Sequence, residues 1–242
     1  MRIRRTALFD DSSKYLDKFG WLLLVVITAI VLLSLVDLRR PESTLWTELG
    51  WVSAIALMGG ALLLSLRAAG VARPWSTIGD VLIGLGVGAS FLMLVAHWAT
   101  ESTIVNDTSD APPVFSLVLS VLACLAVIRR VAQHDEVRRA TLLGAVCGFL
   151  LIPIAFFYAF ITVDSVVSVD IFGESTSTTD FMFFSLSSVT TVGYGDIVPV
   201  DRLGRLLAVT EAMIGQIYLV TFVAFLVALL ASSRLARKRG TE

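Results

Sequence analysis

Six times along this chain an apolar run with almost no charge lasts long enough to cross a bilayer, at 19–36, 49–66, 81–100, 111–128, 140–163 and 206–233. Each approaches or exceeds the ~17–25 residues that a hydrocarbon core demands. In lipid every backbone N–H and C=O must be satisfied internally, so runs of this length fold as helices. A seventh apolar stretch, 181–192, is too short to span and reads as a re-entrant segment. The expected fold class is therefore an all-α membrane protein of six transmembrane helices with one re-entrant element between the last two.

Composition excludes the main alternatives. Hydrophobic residues make up 56% and charged residues 16% of the chain, against roughly 45–50% and about 25% in soluble domains. So little charge cannot cover a surface in water, which argues against a soluble enzyme, a disordered chain or a secreted disulfide scaffold. A net charge of -1 argues against nucleic acid as a partner. Cys124 and Cys147 each lie inside an apolar run and read as small buried hydrophobes. His97 and His134 stand alone in sequence and suggest no metal site. The basic start, Arg2, Arg4 and Arg5, resembles a signal peptide only superficially. The run behind it is too long, acids dilute it, and no small-residue cleavage site follows.

Orientation follows from the 19 Lys and Arg. With the N-terminus inside, fifteen fall on the inner side and four outside (Arg39, Arg40, Arg202, Arg205), so both termini are expected in the cytoplasm. Trp21, Trp51, Trp75 and Trp98 lie near span ends, as an interfacial belt requires. Asp164, Asp170, Glu174 and Asp180 make one outer loop acidic, which would concentrate cations. The expected organisation is a cytoplasmic segment 1–18, a four-span unit with linker 19–139, a pore unit 140–233 and a basic tail 234–242 lying against anionic headgroups.

The segment Thr190, Thr191, Val192, Gly193, Tyr194, Gly195, Asp196 lies between the fifth and sixth runs. At this string the chain resembles the potassium-channel family, whose selectivity filter reads Thr-Val-Gly-Tyr-Gly. The chemistry agrees with the residues. A pore that strips water from a monovalent cation must replace it with oxygens, and backbone carbonyls do so without a full charge that would trap the ion. An extended segment alternates its carbonyls between two sides. Glycines at 193 and 195 can adopt φ > 0 and turn successive carbonyls to one axis. Thr191 can add its hydroxyl as the innermost ligand.

The resemblance implies that Thr191, Val192, Gly193, Tyr194 and Gly195 form the ion-binding filter. The carbonyls of Thr191, Val192, Gly193 and Tyr194 would hold K+, the permeant ion, with no other cofactor. Tyr194 would turn its ring away from the ion. Upstream, 178–189 is expected as the pore helix, started by a capping box of Ser177 and Asp180, with its C-terminal partial negative charge favouring a cation. Thr190 and Asp196 flank the filter as support. Phe183 and Phe184 stand where the family usually has a Trp-Trp pair, and Ser187 where some relatives carry a glutamate paired with the filter aspartate. Downstream, Pro199, Gly204 and Arg205 match the turn into the inner helix, and Gly215 its hinge. Gln216, Leu219, Val223, Val227 and Ala231 would face the cavity, with Val223 and Val227 as an apolar collar. One filter strand cannot encircle an ion, so a homotetramer is implied.

Glu211 is the only acid deep inside a span. Carboxylates in lipid are expensive and usually paired. It is expected either to hydrogen-bond Ser187 or Ser188 behind the filter or to tune gating.

Six spans with the filter between the last two is the layout of voltage-gated cation channels, but the fourth run lacks regularly spaced arginines. Arg129 and Arg130 come only at its cytoplasmic end, where they anchor the helix. Asp80 could pair with them. Residues 129–141 read as a surface linker, and Pro153 is expected to kink the fifth span. The expected function is passive, potassium-selective conduction across the plasma membrane, a bacterial inner membrane, with weak or no voltage gating and no enzymatic activity. The partners are membrane lipid and further copies of the chain. The rival readings are a loop-containing potassium transporter and a non-conducting channel-like sensor subunit.

Overall fold

The computed structural model describes residues 18–35, 37, 114–132, 139–166, 170–173 and 176–239. Every regular element among them is an α-helix: α1 (Lys18–Leu35), α2 (Val114–Ala132), α3 (Arg139–Val166), α4 (Thr178–Val189) and α5 (Arg202–Arg239). Three described helices are long and apolar enough to cross a membrane, at Val114–Ala132, Thr141–Val166 and Arg202–Phe222, and Phe19–Leu35 is a shorter apolar helix. The runs at 49–66 and 81–100 lie outside the described residues. So do Trp51, Trp75 and Trp98, Asp80 with its pairing, His97 and His134.

The helix bounds have local causes. α2 begins at Val114, immediately after Pro112 and Pro113, which lack the N–H that a helix interior would use. It ends with Arg129 and Arg130 in its last turn, where cations complement the helix dipole. The expected linker 129–141 is accordingly helical at both ends. Pro153 sits inside α3, which continues through it. α5 is longer than the run 206–233, its backbone reaching Arg239. The Arg and Lys residues after Ser233 are good helix formers, and no Gly or Pro interrupts them before Gly240. Part of the expected tail is thus a continuation of α5.

α3 is the hub, packing against each of the other four described helices. Its side chains Leu151, Ile154, Phe157 and Phe160 are fully buried, together with Phe181 and Met182 of α4. The ring of Phe160 meets that of Phe184 edge-on at 5.3 Å, and Phe172 meets Phe181 and Phe184, each at 5.0 Å. Edge-to-face pairs at such separations add to area burial. The short helix α4 is therefore wedged among α1, α3 and α5, and this wedge positions the segment that follows it.

Candidate functional site

The site begins at the start of α4. Ser177 adopts an extended backbone and its Oγ accepts the Asp180 N–H at 3.2 Å, while its hydroxyl donates to the Asp180 carboxylate at 2.6 Å. This is half of the expected capping box: the N-cap hydroxyl takes the N3 N–H, while the Asp180 carboxylate returns to the Ser177 hydroxyl. A second acid joins it from far away in sequence. The carboxylate of Asp37, just past α1, accepts from the Thr178 N–H at 3.1 Å and from the Thr178 hydroxyl at 3.0 Å. Two orphan donors of the first turn are thus satisfied, one of them by a residue near the first apolar run.

At the other end, α4 passes directly into the exposed segment 190–196. The N–H of Thr191 donates to the Ser188 carbonyl at 3.0 Å, and those of Val192 and Gly193 donate to the Ser187 carbonyl at 2.9 and 3.2 Å. These bonds satisfy carbonyls that a helix C-terminus leaves without partners. Because peptide units are planar and trans, turning three N–H groups onto α4 sets the carbonyls of Thr190, Thr191 and Val192 away from it. Positive φ recurs at every second residue, +60° at Thr191, +54° at Gly193 and +84° at Gly195. Alternating the sign of φ cancels the usual flip between successive peptide planes. Among the described residues, no hydrogen bond is accepted by the carbonyls of Thr191, Val192, Gly193 or Tyr194. The two glycines behave as their residue type permits. Thr191 is unexpected, since a β-branched residue at φ > 0 is strained.

The flanking side chains divide between two sides. Tyr194 is 69% exposed and its ring stacks on Phe183, with centroids 5.5 Å apart and planes at 16°. Phe184 points the other way, into the cluster with Phe160 and Phe172. Phe183 and Phe184 thus have separate tasks. Ser187 donates its hydroxyl to the Phe184 carbonyl at 3.0 Å, and Asp196 accepts the Ile197 N–H at 3.0 Å, so the two side chains are engaged separately. Thr190 donates its hydroxyl to the Leu186 carbonyl at 2.7 Å. Asp180 and Asp196 line one cleft of about 470 Å³ together with Phe172 and Val200.

Below the segment, the Gln216 amide reaches the Thr191 hydroxyl at 3.5 Å. Leu219, Val227 and Ala231 lie exposed on α5, whereas the side chain of Val223 lies outside the described residues. Gly215 is buried, and a Cβ there would stand 2.8 Å from both Val189 Cγ2 and the Val189 carbonyl oxygen. Its smallness lets α5 pass the end of α4, and α5 is continuous through it. Arg205 donates from Nε to the Pro199 carbonyl at 3.0 Å, closing the turn. Asp201 caps α5, accepting the N–H of Leu203 at 2.7 Å. This bond holds its carboxyl below the ordinary carboxylate value.

Glu211 requires a correction. Its carboxyl meets Ser185, not Ser187 or Ser188. Ser187 is engaged within α4, and the helix phase brings Ser185 to the α5 side. Ser185 also donates to the Pro153 carbonyl of α3 at 2.7 Å. Asp37, Ser185 and Asp201 are site-supporting residues that the sequence reading missed. Only Asp201, an Asp directly before the helix start, carried a local signal.

No cluster of three or more His, Cys, Asp or Glu among the described residues could hold a metal ion. Residues 145–232 match the family model described as ion channel. A calcium-gated potassium channel of Thermoplasma volcanium is 41% identical over 61 residues, covering 25% of this chain and 18% of that protein. The chain thus matches under a fifth of the length of that curated relative. No solved structure matches. Residues 145–232 are an ion-channel pore domain, of a family that is not enzymatic, carried in a multi-pass membrane protein.

Proposed function

We propose that the chain is the subunit of a homotetrameric potassium channel, conducting K+ passively through a filter built from Thr191 to Gly195. The observation that carries the reading is the backbone of that segment: three consecutive N–H groups tied to α4 and positive φ at residues 191, 193 and 195. Carbonyls offered from four such strands replace the hydration shell of a monovalent cation, and Thr191 adds its hydroxyl at the inner end. The name of the Thermoplasma relative, a potassium channel, supports the choice of ion. In this reading Glu211, Phe183, Phe184, Ser187, Thr190 and Asp196 support the filter. Gln216, Leu219, Val223, Val227 and Ala231 line the cavity, and Gly215 is the point of bending.

The wider arrangement belongs to the same proposal. Six spans cross a plasma membrane, a bacterial inner membrane, with both termini cytoplasmic by the distribution of Lys and Arg. Four copies close the ring, since α5 leaves Leu203, Leu206, Met213 and Ile217 exposed in the single chain. Reconstitution into liposomes with bi-ionic reversal potentials is the direct test. A large shift on replacing potassium by sodium, blocked by barium, is expected, and a near-zero shift in the wild-type protein would sink the assignment.

A further inference from the structure

One buried polar cluster behind the filter segment has a proton count that does not close if Glu211 is ionised. Ser185 on α4 and Glu211 on α5 are both 0% exposed. The Ser185 hydroxyl lies within hydrogen-bond distance of two oxygens, the Pro153 carbonyl of α3 at 2.7 Å and Glu211 Oε1. A serine hydroxyl has one proton to give, and a carbonyl has none. With a carboxylate at 211, one of the two contacts would be oxygen against oxygen without a hydrogen between them. A proton on Glu211 Oε1 supplies the missing donor, so that Glu211 donates to Ser185 and Ser185 donates to Pro153.

The second oxygen agrees. Glu211 Oε2 is buried and has no hydrogen-bond partner, and no ion pair to Glu211 occurs among the described residues. As the carbonyl oxygen of a neutral acid this is a minor deficit; as half of a carboxylate it is an uncompensated charge inside the membrane domain. Resting on the channel reading above, we propose that Glu211 is a positioning residue that works as a neutral carboxylic acid, driving a Glu211–Ser185–Pro153 relay that ties α5, α4 and α3 together. Its consequence for the filter is short-range. Ser185 stands two residues before Ser187, whose carbonyl takes the N–H groups of Val192 and Gly193.

The test uses the full chain in lipid. Infrared spectra of the wild-type protein in mildly alkaline buffer, where exposed acids are ionised, should show a carboxylic-acid C=O band that shifts in deuterium and is absent from E211Q. A spectrum with carboxylate bands alone overturns the proposal. The amide introduced by Glu211→Gln can donate to Ser185 as the acid does, so this variant should keep potassium flux and thermal midpoint near wild type. Glu211→Ala and Ser185→Ala should lower the conducting fraction about tenfold, as loss of a buried hydrogen bond implies. If Glu211→Gln is as damaged as Glu211→Ala, the donor role is wrong. If the wild-type protein passes no potassium at all, the channel reading fails on its own, and the infrared band and thermal midpoints still decide the relay.

Discussion

The helices α3 and α5 each contain a candidate span, yet 56% of the apolar window of Thr141–Val166 is buried inside the chain against 17% for Arg202–Phe222. α3 packs on every other described helix. α5 buries chiefly one stripe, Gly204, Glu211 and Gly215, spaced at helical intervals toward α4 and the turn before it. Leu207, Ala208, Tyr218 and Phe222 pack partly against the core, while Leu206, Met213, Ile217 and Gln216 beside Thr191 stay exposed. The α3 side is largely covered within one chain, whereas much of α5 and the segment 190–196 is exposed in the single chain. An ion-channel pore domain implies oligomeric assembly in a membrane.

The sharpest way to break that contrast is at Gly193, whose φ of +54° has open space around its Cβ position. Ala there is disfavoured by backbone sterics alone. Gly193→Ala is expected to abolish potassium current while leaving the thermal midpoint of the protein almost unmoved, and a conducting variant would show that the filter assignment is wrong. On the α3 side the expected pattern is reversed. Phe184→Ala should cost about 3–5 kcal/mol of stability, by emptying the cluster with Phe160 and Phe172. Phe183→Ala, which removes only the stack on Tyr194, should cost about 0.5–1.5 kcal/mol and show mainly in filter behaviour. Thermal unfolding in a mild detergent distinguishes the two, and equal losses would contradict the division of tasks.

The buried stripe of α5 gives a smaller effect. Gly215→Ala forces a methyl against Val189, whose backbone cannot yield cheaply, and should destabilise by about 1–3 kcal/mol. A variant of wild-type stability and altered gating would favour bending at Gly215 over close packing. Voltage dependence should be weaker still. Arg129 and Arg130 occupy the last turn of α2. If both crossed about a quarter of the field, each subunit would contribute on the order of 1 kcal/mol per 100 mV. A gently sloped conductance-voltage relation is expected, and a steep one flattened by Arg129→Gln with Arg130→Gln would show that these residues sense voltage.

The smallest effect concerns Asp201. The Leu203 N–H holds its folded carboxyl below the ordinary value. Its contribution is therefore present above the unfolded carboxylate value and is lost as pH falls through the lower folded one. Asp201→Asn keeps a capping oxygen but removes the charge, so it should flatten a slight acid-side loss of stability. A pH profile unchanged by Asp201→Asn would mean that the cap contributes through geometry alone.

Much of the site is legible in the residues because its determinants are local. Ser177 and Asp180 lie three apart, the distance over which an N-cap hydroxyl reaches the N3 N–H. Gly193 and Gly195 mark positions where L side chains are disfavoured. Among the described residues the apolar runs name their own helices, since lipid leaves the backbone no other solution. Boundaries moved where the run and the helix have different causes: α5 outlasts its apolar stretch because basic residues propagate a helix as well as Leu does.

What the sequence by itself determined is the class of protein, the place of the 190–196 string and the start of the helix that precedes it, all matters of composition, length and short spacing. Tertiary structure decided which neighbours those helices meet. Phe183 and Phe184 are adjacent in sequence and about 100° apart around a helix, so only packing selects Phe184 for the α3 core and leaves Phe183 to Tyr194. The same rotation gives Glu211 to Ser185 and withholds Ser187 and Ser188. Asp37 reaches Thr178 across 141 residues of sequence. No periodicity encodes the relative phase and height of two helices; that is fixed by how their side chains fill the space between them.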